Sequence, residues 1–471
     1  MKTNIISIIF LIVICPKFGF AQSLTQNDFL NKLISTHPFL EKEELTAEIE
    51  TEEQKSYTGT QDWNIFASAA FIHDEPVIAF AGPERTDALS LTGGVEKLFW
   101  ETGGSFSASF NTTLSNIKID PMFGFPSSFQ QNQITLKYTH PLMKNSDGFL
   151  NKLQYDLKQY DIDFSEVQSI ENKENFLAGS AQRYLDWVFL NEQKMIIAER
   201  IKLSEEELER TKRKREAHLV DQVDVIRAED AVRIWKQNHV LIESQLNAIR
   251  AELAVLANDD EIISADPDFN LYEIEDSMQL DDILGSLEEN SRLINILDIR
   301  INQIEHSRDG YEEMSKPDLS LMAEVNLRRI DEVLVQSFLM NKPEIMVGLN
   351  YSFPLENRTA DFQIAKSDLQ VTQLEKYIED IKISLKSVLT NLYVRMDELK
   401  NVLELNKEQI ESAKKRTEEE LKLYNQGRGD LTFVIMSRDN EQNAKLTYAG
   451  NALTYQKLLI EYKALADRLY N

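Results

Sequence analysis

A mainly α-helical chain that also carries membrane-spanning β-strands is predicted by three observations. Residues 362–424 hold neither proline nor glycine. They place apolar residues at Val371, Leu374, Ile378, Ile381, Leu385, Val388 and Leu392. Those steps of three and four make a heptad seam, the pattern of helices packed lengthwise. Short runs such as Ile345, Val347, Leu349 and Tyr351 alternate with other residues and read as strands. Finally, the order helix, strands, long helix, break, shorter helix occurs twice.

In chain order, Met1-Lys2-Thr3, an apolar run from Ile5 to Cys15 and Gly19-Phe20-Ala21 read as a secretory signal peptide over residues 1–21. Its apolar core is too short for a bilayer, which needs ~20 residues. Cleavage there would leave a net charge of −29 instead of −27, because Lys2 and Lys17 leave with it. Cys15, the only cysteine, would leave too, so no disulfide is expected. Val13-Ile14 lack the small residue that a lipoprotein signal favours before its cysteine. No other segment reaches 18 continuous apolar residues.

The first structural repeat is placed at 22–257. Residues 27–50 read as a helix interrupted at His37-Pro38. Alternation at Trp63 to Ala70, at Leu89 to Leu91 and Val95 to Trp100, and at Phe106 to Phe110 reads as strands. Thr102-Gly103-Gly104 is taken as a hairpin turn. Residues 111–133 read as an exposed loop, and the stretch from Asp74 to Gln133 as an insertion forming an extracellular lid. A short strand at 134–139 leads to Pro141-Leu142. A long helix is predicted over 148–215, a break near 217–220, and a helix over 221–257. Residues 258–269 read as a linker, and 270–471 as the second repeat. There, a helix over 279–308 is ended by Gly310. Strands at 318–326 and 345–351 flank a loop at 328–342, and Pro354-Leu355 opens the rod at 362–424. The chain breaks at Gly427-Arg428-Gly429 before a last helix at 430–469.

The repeat aligns by number. Tyr138 to Leu142 matches Tyr351 to Leu355, and Asp221-x-x-x-Val225-Ile226 matches Asp430-x-x-x-Val434-Ile435. The two offsets differ by four residues, which is read as one turn of difference between the long helices. Proline lacks the ladder donor and disfavours helix before it, so Pro141 and Pro354 suit strand-to-helix junctions.

At least four strands per chain suit a bilayer-spanning barrel. Four cannot close alone, since useful barrels need about eight, and open edges are not tolerated in lipid. Several copies must therefore share one barrel. Trp63, Phe66, Phe71, Phe99, Trp100, Phe106, Phe110, Tyr138, Phe338, Tyr351 and Phe353 gather near the strands, as in interface belts or in a soluble core. The excess of 78 acidic over 51 basic residues argues against a nucleic-acid partner. It fits solvated helix faces or acidic walls on a water-filled conduit.

Tyr138 to Leu142, Gly348 to Arg358, Tyr424 to Gly427 with Asp430 to Ile435, and Leu446 to Leu465 together resemble the TolC-like outer membrane efflux proteins over nearly the whole mature length. The resemblance implies a homotrimer with four strands per protomer in a twelve-stranded β-barrel. It also implies an α-helical tunnel into the periplasm. The tips near Ala217–Asp224 and Gly427–Phe433 would form the entrance. There a periplasmic adaptor and an inner-membrane RND- or ABC-type transporter would dock. Two departures stand out. His218 occupies the place of Gly427, so the first tip is expected to be built differently. Asp224 precedes its valine in the first repeat, but Phe433 does so in the second, so the entrance ring is expected to be partly apolar.

No nucleophile elbow, P-loop, HExxH or dinucleotide fingerprint is present, so neither an enzyme nor a cofactor is expected. The six histidines show no ligand spacing. The alternative is a periplasmic coiled-coil adaptor. Two rods with paired Pro-Leu junctions argue against it.

Overall fold

The computed structural model describes residues 23–77, 82–119, 122, 126–274, 279–332, 334–337 and 342–469. The signal segment, with Cys15, lies outside them, as does Phe338. The chain forms two units, one of residues 1–42, 171–291 and 384–471, the other of 43–170 and 292–383.

Helix α3 (Phe149–Glu216) and helix α8 (Arg358–Asn425) run through both units and have 68 residues each. At ~1.5 Å per residue each is on the order of 100 Å long. Their equal length corrects the expected one-turn difference. The four residues lie instead between the Pro-Leu junction and the helix: 143–148 follow Leu142 before α3, but only 356–357 follow Leu355 before α8. The α8 seam buries Ile378, Leu385, Leu389, Leu392, Met396 and Leu403. Val388 is exposed and Leu389 takes its place, because a 3.6-residue helix drifts against a strict heptad.

In the first unit, β1 (Ser23–Thr25) pairs in parallel with β6 (Asp266–Asp268). The expected linker is thus tied to Ser23–Thr25. Tyr184 of α3 fastens this pair, donating to the Leu24 carbonyl at 2.6 Å and accepting from the Asp268 amide at 3.1 Å. Helix α1 (Gln26–Thr36) inserts Phe29 and Leu33 beside Tyr184 and Trp187, all fully buried. Helices α4 (Gln222–Ala257) and α9 (Leu431–Leu465) complete this core with Leu246, Leu253, Tyr455 and Tyr462.

In the second unit, α2 (Pro38–Tyr57) leads to an antiparallel sheet of six strands among the described residues, in the order β2-β3-β4-β5-β7-β8. These are β2 (Asn64–Asp74), β3 (Arg85–Leu98), β4 (Ser105–Lys118), β5 (Ser128–Pro141), β7 (Asp318–Asp331) and β8 (Lys342–Ser352). Six strands agree with the reading of at least four and exceed the four that the resemblance implies. Residues 85–98 form one strand through Gly93-Gly94. The residues expected to form a loop at 111–133 end β4 and begin β5, and 328–331 extend β7. The sequence hides these pieces because Asn, Ser, Thr and Gln replace the apolar partner in the alternation. In the sheet their side chains hydrogen-bond across strands.

The stretch expected to form a lid is therefore mostly sheet. Its Thr102-Gly103-Gly104 turn lies at the helix end of the sheet, not at the far end. Trp100 is buried there, donating to Thr60 Oγ1 at 2.8 Å and meeting the Tyr155 ring edge-on at 5.4 Å. Helix α6 (Arg292–Ser315) continues through Gly310 instead of ending there. A Cβ at Gly310 would lie 2.5 Å from Leu153 Cδ2, so this glycine permits close packing on α3.

Gly148 has φ +74°, and a Cβ there would meet the Trp100 carbonyl oxygen at 1.4 Å. Gly148→Ala is expected to destabilise the second unit by at least ~1–3 kcal/mol. Gly179→Ala meets nothing within 4 Å and should stabilise α3 by ~0.5–1 kcal/mol. Thermal unfolding followed by circular dichroism separates the two.

Candidate functional site

The expected entrance residues lie at two helix breaks in the first unit. Helix α3 ends in a Schellman turn: the Leu219 amide bonds to the Lys214 carbonyl at 2.8 Å and the His218 amide to Arg215 at 3.0 Å. Helix α8 ends the same way 209 residues later. The Arg428 amide bonds to Leu423 at 3.0 Å and the Gly427 amide to Tyr424 at 3.2 Å. His218 takes φ +57° and Gly427 +73°. The first tip is thus built like the second, contrary to expectation, with His218 accepting the left-handed conformation at a cost of ~1–2 kcal/mol.

The helices leaving the tips are capped unequally. Asp221 and Asp224 form a capping box at the start of α4, each side chain accepting from the other's backbone. Asp224 also pairs with Arg227 at 3.1 Å. At α9, Asp430 accepts from the Thr432 amide at 2.7 Å. Hydrogen bonds from Thr432 hold the Asp430 carboxyl below its ordinary range. This cap is therefore intact at neutral pH and is lost as acid protonates it. Phe433 cannot return a carboxylate to complete a box. Its ring is 56% exposed. Arg428 is exposed beside it, and Gly429 packs against the backbone of Tyr424.

The two tips share a small core of Ala228, Tyr424, Leu431 and Val434. Lys214 of α3 closes it, donating to the Tyr424 carbonyl at 2.8 Å with its ammonium 3.4 Å from the Tyr424 ring centre. A cation at a helix C-terminus and over an aromatic face is favourable on both counts. Burial, and then Arg210, push the Lys214 amine below the usual lysine range.

Further from the tips lies an ionic cluster that the sequence did not reveal. Arg200 is fully buried and donates to Asp439 Oδ1 at 2.8 and 3.0 Å. Trp235 donates to the same oxygen at 3.1 Å. Arg200 also faces Glu207 at 3.5 Å, and Glu207 pairs with Arg438. Two arginines and two acids thus compensate one another across α3 and α9, with Trp235 of α4 on Asp439. In the sequence they look like any charged residues on a solvated helix face. Elsewhere in this unit Glu171, Glu174 and Asp467 bring carboxylate oxygens within 4.8 Å of one another. Glu174 serves there as acceptor for the Leu469 amide at 2.7 Å.

The second unit presents a sheet with two unlike faces. Ile65, Val95, Ala108, Leu136, Val325 and Ile345 form one hydrogen-bond row across all six strands, on one face. The face is apolar yet exposed, with Ile65 at 78% and Val347 at 68%. The opposite face is polar and cross-linked. Asn111 donates to Ser90 and Thr92 at 3.0 and 2.7 Å, while Gln133 and Thr135 donate to Asn326 at 3.0 and 2.6 Å. At the helix end Trp63, Phe99, Phe106 and Tyr138 cluster, with Lys97 over the first two. Pro141 ends β5 there, and Pro354 follows β8 by two residues, so both mark strand-to-helix junctions.

No family model matches the sequence, and no curated protein matches it. Solved structures do. The outer membrane protein VceC from Vibrio cholerae aligns over 94% of this chain and 95% of its own, with a TM-score of 0.65 and 10% identity. The outer-membrane channel OprN aligns over 94% and 89%, with a TM-score of 0.70 and 12% identity. The Campylobacter jejuni outer membrane channel CmeC aligns over 100% and 95%, at 0.66 and 12%. The chain therefore has the fold of these proteins, from the β1 end to α9.

Arg200→Ala leaves Asp439 with Trp235 alone and Glu207 with Arg438 alone, and is expected to cost ~3–5 kcal/mol. Lys236→Ala removes only an exposed pair with Glu205 and should cost less than ~1 kcal/mol. His218→Gly should stabilise the first tip by ~1 kcal/mol, whereas Gly427→His should weaken the second by a similar amount. Chemical denaturation monitored by helical ellipticity reads all four.

Proposed function

We propose that this chain is the outer-membrane exit duct of a tripartite efflux or type I secretion system. In it three copies form a passive conduit that extends into the periplasm. Cargo would arrive from an inner-membrane RND- or ABC-type transporter by way of a periplasmic adaptor docked at the tips. The observation that carries this function is the sheet, apolar and exposed on one face, polar and hydrogen-bonded on the other, and open at both edges. Alternation of that kind matches a barrel wall between lipid and water. A periplasmic adaptor has no use for such a face.

Helix α8 supports assembly from several copies. Phe362, Leu369, Tyr377, Ile383, Val394 and Leu405 are apolar yet exposed. At ~100° per residue they share one stripe about 120° wide, opposite the buried seam. A helix with apolar stripes on both sides is a stave that needs a neighbour on each. Within the chain only one stripe is covered.

Two measurements test this function. Purified protein should need detergent, fractionate with outer membrane and run on gels as a heat-dissociable trimer. A detergent-free, water-soluble monomer would remove the proposal. At the tip, Phe433→Asp would complete the missing capping box and add one carboxylate per copy. Block by multivalent cations in planar bilayers is expected to strengthen several-fold. An unchanged block would show that Phe433 does not line the entrance.

A further inference from the structure

The sheet has more strands than the resemblance implies, and all of them have the same two-faced character. Four of the six connect directly to helices: β2 follows α2, β5 leads to α3, β7 follows α6 and β8 leads to α8. The β3–β4 hairpin connects to none. Its strands are nonetheless long at 14 residues each, β3 pairing with β2 over residues 86–96 and β4 with β5 over residues 105–116. Its apolar residues Leu89, Leu91, Phe106 and Phe110 lie on the same face as Ile65 and Leu136. Its Ser90, Ser109 and Asn111 lie on the polar face.

The apolar band also runs obliquely. The row through Ser68, the middle of β2's apolar run, meets β8 at Lys342. The apolar run of β8, Ile345 to Tyr351, is centred on Gly348, six residues nearer the helix end. Six residues at ~3.3 Å against five strand steps at ~4.8 Å is a slope of about 40°, the strand tilt of a closed barrel. The band crosses the hairpin on this slope without a step, so the hairpin belongs in the wall.

The edges fit a second copy of the same chain. β2 and β8 are 11 residues each and almost wholly exposed. An even strand number makes them antiparallel when copies sit side by side. Asp74 and Lys342, of opposite charge, would lie at the same loop end, both on the polar face.

We infer that three copies close an eighteen-stranded barrel, wider than the twelve-stranded one of the resemblance. This rests on the trimer proposed above. At a tilt of ~40° the backbone diameter is about 36 Å for eighteen strands and about 24 Å for twelve. Allowing ~5 Å for each inward side-chain layer leaves an exit of about 26 Å. A single helix is ~10–12 Å across with side chains. The barrel therefore passes cargo as thick as a helical hairpin or a small folded domain.

Electron microscopy of the full protein in lipid nanodiscs tests this directly, with stoichiometry from three-fold averaging and covalent cross-linking. A trimer with a barrel near 36 Å is the expected result. A trimer near 24 Å overturns the strand count while sparing the trimer, and any other stoichiometry overturns the trimer itself. A second test uses β4 in proteoliposomes. A water-soluble maleimide should label Ser109→Cys at least ten times faster than Phe110→Cys. Equal labelling would place the hairpin outside the wall.

Discussion

Backbone amides and carbonyls in hydrocarbon have no water to turn to, so a sheet there cannot keep a free edge. In the function proposed for this chain, that constraint governs its assembly. Its six strands are two-faced along their full width, yet β2 and β8 leave their outer ladders unpaired. Helix α8 presents the same problem in side-chain form, with one apolar stripe covered and another bare. In the proposed assembly both features would meet the next protomer.

The two tips show how similar turns can be made from different residues. A Schellman turn asks only that one residue accept a left-handed backbone, which glycine does freely and histidine does at some cost. The surrounding hydrogen bonds and the shared core around Tyr424 are enough to hold His218 there. The caps differ more in consequence. A carboxylate at Asp224 is tied into a box and into Arg227, whereas Phe433 leaves an apolar ring in the open at the matching place. Away from the tips, Arg200, Glu207, Arg438 and Asp439 neutralise one another.

The rods, their breaks and the junction prolines were legible because each follows from a local rule. Heptad spacing, the absence of helix breakers, and the end of an alternating run all act over a few residues. The strands were only half legible. Where apolar residues alternate, as from Ile345 to Tyr351, the pattern is plain. Where Asn111, Thr113, Gln131 and Gln133 stand in the alternation, composition suggests a loop. Asn111, Thr113 and Gln133 bond instead to neighbours on other strands, Ser90 and Asn326. For the same reason Gly310 looked like a helix end, when it is a point of close packing against Leu153.

The sequence by itself determined where the two long helices run and where they break, since this depends on spacing along one chain. Only the tertiary structure decided the number of strands, the side on which the Thr102-Gly103-Gly104 turn lies, and the left-handed setting of His218. Those depend on partners far away in the chain: Trp100 against Thr60 and Tyr155, and β3 against β2. Pairing energy across a sheet belongs to both strands at once, and a linear pattern holds only half of it.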